Sequence, residues 1–203
     1  MILQHALGLM THPDKEWQSI EKEHATPTAV IMAYTCILAA IAPLCAYYAT
    51  TQIGWRVGDG DIIKLTSESA LSLCLLTYAA MLVGVFALGW MIDWMAGTYG
   101  GKHENNAASG IALAAYSSTP IFLAGFALLY PVPWFNLLVF VAAALYSCFL
   151  MLDGIPIVMR IDKDRAVFFG GAILAVALVL LVSTRVGSVL IWSVGFAPEF
   201  VGG

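Results

Sequence analysis

The stretch Ser69–Ile92, SALSLCLLTYAAMLVGVFALGWMI, runs from Glu68 to Asp93 without a single charge. At about 1.5 Å per residue it is long enough to cross about 30 Å of hydrocarbon. Its apolar residues are continuous and show no period of two, so it reads as a helix and not as a barrel strand. In lipid the backbone must pair with itself, and a helix does that within one segment. This reading settles the fold class, because the rest of the chain repeats it.

Four further runs have the same character: residues 28–49, 107–130, 134–159 and 166–182. The expected architecture is therefore all-α, a polytopic membrane helical bundle with five transmembrane helices. A short interfacial helical arm (1–27) precedes it and a tail (183–203) follows. The composition agrees: 61% of the 203 residues are hydrophobic and 11% charged, with a mean hydropathy of +0.86. Soluble domains carry about 25% charged residues. Nine Lys+Arg against thirteen Asp+Glu leave no basic footprint for nucleic acid. The partners expected are membrane lipids and a second copy of the chain or another membrane protein.

Connections and charges add orientation. Pro131-Val132-Pro133 is a turn short enough to make the third and fourth helices antiparallel neighbours. Lys15, Lys22, Lys102, Arg160, Lys163 and Arg165 fall on one side, and Arg56, Lys64 and Arg185 on the other. The positive-inside rule then places the N terminus in the cytoplasm and the C terminus outside. Met1–Met10 lacks a basic leader region, so no cleavable signal peptide is expected. Leu3, Ala6, Leu7 and Met10 fall on one helical face, as an interfacial helix requires. Thr11 is a candidate N-cap for a second arm helix with Pro13 in its first turn, and Trp17, Ile20 and His24 share a face. The tail from Ser183 fits an extension of the last helix, an interfacial segment or a disordered one.

No catalytic, metal or cofactor constellation stands out. Cys36, Cys45, Cys74 and Cys148 all fall within spans with no CxxC pair, and the four histidines have no HxxxH spacing. Phosphate-binding and nucleophile-elbow motifs are missing, and Asp59 and Asp61 lack the rest of a calcium loop. No cofactor is expected.

The polar candidates lie within or beside the spans. Asp153 is the only charge inside a run, in Asp153-Gly154-Ile155-Pro156. A carboxylate in a span costs about 2.5–3.5 kcal/mol and should face protein or water. Pro156 cannot donate to the carbonyl of Leu152, so a broken helix end is expected here. Arg160, two turns on, is in reach of Asp153. Depth favours a helix-end carboxylate reaching water or Arg160 over a proton- or cation-binding group. Asp93 ends the second span on the same side; the two acids could line a polar vestibule, although a solvated helix-end carboxylate explains Asp93 more simply. In the third span Tyr116-Ser117-Ser118-Thr119-Pro120 predicts a kink, with the hydroxyls re-satisfying the carbonyl that Pro120 frees. Small residues at four-residue spacing, Gly110, Ala114 and Ser118 in the third helix and Gly171 and Ala175 in the fifth, predict close helix packing.

Several of these residues resemble a known family. His12-Pro13…Trp17…Ile20, Thr51-Gln52-Ile53-Gly54-Trp55, Tyr116…Thr119-Pro120 and Tyr146…Gly154-Ile155-Pro156 occur in the order seen in the bacterial branch of the Yip (Ypt-interacting protein) superfamily. The likeness covers nearly the whole chain and is most specific in the first loop, Thr50–Thr66. It implies five membrane helices with a cytoplasmic N terminus. Tyr116–Pro120 is similar to the Gly-Tyr…Pro element of eukaryotic relatives, with Ala115 in place of the glycine. Those relatives are membrane-trafficking factors that engage small GTPases, with long cytosolic N-terminal regions. Here about 27 residues precede the first span, so that activity is not carried over, and no catalytic residue is implied. Two readings remain: a membrane-embedded interaction or organising factor, and a small-solute or ion permease using Asp153, the Pro156 break and the Tyr116–Thr119 strip.

Overall fold

The computed structural model describes residues 2–23, 26–56, 60–100 and 109–201. The arm forms two helices, α1 (Ile2–Thr11) and α2 (Pro13–Glu23). Five helices long and apolar enough to cross a membrane follow: α3 (Thr28–Ile53), α4 (Ser67–Tyr99), α5 (Gly110–Leu129), α6 (Pro133–Val158) and α7 (Lys163–Gly195). The α-helical part of α7 runs to Ile191, nine residues past the sequence-expected end at Val182, and then winds as a π-helical turn over Trp192–Phe196. Gly195, at φ 112, stops it. His24, expected beside Trp17 and Ile20, lies outside the described residues.

The bundle is organised around α5. Of its apolar window 67% is buried, against 39% for α3, 22% for α7, 17% for α6 and 6% for α4. Helix α5 packs on α3, α4 and α6, and α7 closes the far side against α4 and α6. Its close approach depends on residues without side chains. A Cβ on Gly89 of α4 would lie 2.7 Å from the Cα of Ile111, and one on Gly125 of α5 would lie 2.5 Å from the Cα of Ala42 in α3. The expected packing stripe on α7 faces outward from the single chain. Gly171 has nothing near it and Ala175 is exposed, whereas Gly170, one position round, meets Leu152 of α6. One residue of register turns the stripe outward.

Arm and tail lie at opposite ends. Beyond α7 the tail runs beside the first loop, with Thr66 N donating to Glu199 O at 2.9 Å and Val201 N to Lys64 O at 2.9 Å. The loop itself folds back by exchanging bonds between Trp55 and Ile63. Trp55 meets Phe200 edge-on at 6.2 Å. At the other end the arm folds as a hairpin against α5 and α6. Thr11 does not cap α2: it ends α1, and its hydroxyl donates back to Leu7 O at 2.9 Å. The apolar face expected from Leu3, Ala6, Leu7 and Met10 also divides. Ala6 and Leu9 are buried while Leu7 and Met10 point outward.

Candidate functional site

The break in α5 is built as its chemistry requires. Pro120 has no N–H for the carbonyl of Tyr116, and the Thr119 hydroxyl donates to that carbonyl at 2.6 Å. Since the Thr119 proton is spent there, the Tyr34 hydroxyl of α3 donates to Thr119 Oγ1, at 2.5 Å. Ser118 Oγ donates to Ala114 O at 2.7 Å and Ser117 Oγ to the same oxygen at 3.3 Å. Tyr116, Ser117, Thr119 and Pro120 are all buried. The Ser117, Ser118 and Thr119 hydroxyls are therefore spent on the bundle and on their own helix.

Tyr116 is the floor on which the arm sits. Its ring meets Tyr34 at 4.4 Å, His5 of α1 edge-on at 5.6 Å and Trp17 of α2 perpendicular at 6.4 Å. Trp17 is fully buried and lies against Gly154, where a Cβ would come within 2.7 Å of the indole and of Leu113. The indole thus fills the ground between the Asp153–Pro156 turn and the Tyr116–Pro120 break. His5, 7% exposed, holds Glu16 Oε1 through Nδ1 at 2.5 Å and Glu23 Oε2 through Nε2 at 3.2 Å. Tyr146 of α6 donates to Leu9 O of α1 at 3.0 Å.

The remaining candidates scatter along this end. Asp153 is half-buried, with Asp14 of α2 and Lys163 of α7 as charged groups acting on it. Its Oδ2 is buried without a hydrogen-bond partner. The helix is not broken at Pro156: α6 runs through it to Val158, because only the bond to Leu152 is lost near an end that is fraying anyway. Arg160 follows in the left-handed region at φ 51 and donates to Glu21 Oε1 at 2.7 Å. Asp93 is held at the start of α5. Its Oδ1 accepts from Gly110 N at 2.7 Å, satisfying one of the orphan amides that open α5 and complementing the positive helix end.

Sequence reasoning missed His5, Glu16, Glu23 and Tyr34. The available signal was weak: Glu16 and Glu23 are seven apart on one face of α2, and His5 stands four before Leu9. At the opposite end an open apolar groove is lined by Ala46, Ala49, Trp55, Leu128 and Pro133, with Asn136 at its edge.

The comparisons agree with this architecture. The Yip1 domain matches residues 7–184, a range that takes in part of α1, all of α2 and the bundle as far as Thr184 in α7. "Inner membrane protein YohC" of Escherichia coli (strain K12) is 37% identical over 194 residues, covering 96% of this chain and 98% of that protein. The protein of the same name in Escherichia coli O6:H1 gives the same figures. No solved structure matches. The chain therefore belongs to the Yip1 domain family of membrane proteins.

Proposed function

We propose that this chain is a non-enzymatic protein of the bacterial inner membrane that acts as a membrane-embedded interaction or organising factor. The observation that carries the reading is where the polarity went. The Ser117, Ser118 and Thr119 hydroxyls of the α5 break make intramolecular hydrogen bonds, while α4 and α7 turn long apolar faces outward. Those faces include Gly84, Gly171 and Gly187, each with open space where a Cβ would stand. Outward small residues let a second helix come close in lipid. The inner-membrane assignment is supported by the name of the 37%-identical relative. Six Lys and Arg on the arm side against three opposite support a cytoplasmic N terminus and an outside C terminus.

A permease has less to stand on, since a route from Asp153 to Tyr116–Thr119 would pass through the space that Trp17 occupies. Crosslinking in native membranes tests the proposal. A defined homo-oligomer or hetero-complex, weakened by Gly171→Leu, is the expected result. A monomer with no crosslinked product contradicts it. Proton or solute flux in liposomes that disappears with Asp153→Asn would favour the permease instead.

A further inference from the structure

We propose that α1 is a proton-held lid: a doubly protonated His5, clasped between Glu16 and Glu23, locks it over the break in α5, and loss of that proton releases it. Ionised carboxylates only accept, and both ring nitrogens of His5 face carboxylate oxygens. With both acids ionised, a fully satisfied clasp needs both nitrogens to donate, which only the imidazolium can do. A neutral ring keeps one donor and turns a lone pair toward the other acid. The titratable groups around it are Glu16 and Glu23 from α2, Tyr116 from α5 and, behind that ring, Tyr34 from α3. From α6, Tyr146 reaches α1 at Leu9.

Besides the clasp, α1 is held by buried Ala6 and Leu9 and by the Tyr146 bond to Leu9 O, while Leu7 and Met10 face away. It touches α5 on both sides of the break, so its departure uncovers the face of Tyr116 that His5 meets. Losing one charge-assisted hydrogen bond shifts the docking equilibrium of α1 by about tenfold.

The test is a labelling ratio in nanodiscs, with Cys36, Cys45, Cys74 and Cys148 replaced. Ala6→Cys reports the buried face of α1, at 3% exposure, and Leu7→Cys the open face, at 64%. Dividing their maleimide rates cancels the pH dependence of the thiol. The expected ratio rises about tenfold between about pH 5 and 8, in line with the loss of one charge-assisted hydrogen bond. His5→Gln should hold the ratio high throughout. A ratio that stays flat in the chain with His5 overturns the lid even if His5→Gln fails to fold, as does an unchanged rise in folded His5→Gln. The lid stands apart from the interaction reading, and either can fail without the other.

Discussion

Helices α4 and α5 pack against each other, yet 6% of the apolar window of α4 is buried at a hydropathy of 2.3 and 67% of that of α5 at 1.6. The least apolar span is the most buried one. In water that order would be reversed, because burial and hydrophobicity rise together. In a bilayer the outer faces meet hydrocarbon and must be apolar. The central helix meets other helices and keeps hydroxyls that its neighbours can satisfy. What distinguishes the interior here is small residues and matched hydrogen bonds.

The sharpest way to break that comparison is to add volume where backbones touch. Gly125→Val drives a branched side chain into the Ala42 backbone, 2.5 Å from its Cα. It should cost about 3 kcal/mol, seen as a clear drop in thermal midpoint in nanodiscs. Ala79→Val, on an exposed position of α4, should stay within about 0.5 kcal/mol. Equal losses at the two sites would remove the distinction between inner and outer faces.

A smaller effect separates the hydroxyls. Thr119→Val keeps the shape but strands the Tyr34 hydroxyl and the Tyr116 carbonyl, and should cost about 1–2 kcal/mol. Thr77→Val, on an exposed position of α4, should be neutral in the same unfolding assay. Asp93→Ala removes the acceptor of Gly110 N and should lose about 1 kcal/mol as a lost helix cap. Asp93→Asn, which keeps an oxygen, should lose less.

Much of the bundle was legible because lipid imposes a simple rule, and five apolar runs obey it. Helix ends were not, since α7 continues beyond Val182 through Thr184 and Arg185, which nothing in hydropathy favours. The repair of the α5 break was legible from local chemistry, a proline four residues after Tyr116 with hydroxyls between. The cluster around His5 was not. Its partners lie 11 and 18 residues away and meet only once α1 folds back on α2. Gly171 and Ala175 show a second limit, because a period identifies a stripe without saying which way it faces.

Residue-resolved labelling by a lipid-phase carbene reagent in vesicles tests the central claim, that the polar helix is shielded by the apolar ones. The account predicts strong labelling at Leu75, Val83 and Phe86 of α4 and none at Leu113, Ala114 and Phe122 of α5. Labelling of α5 equal to that of α4 would contradict it.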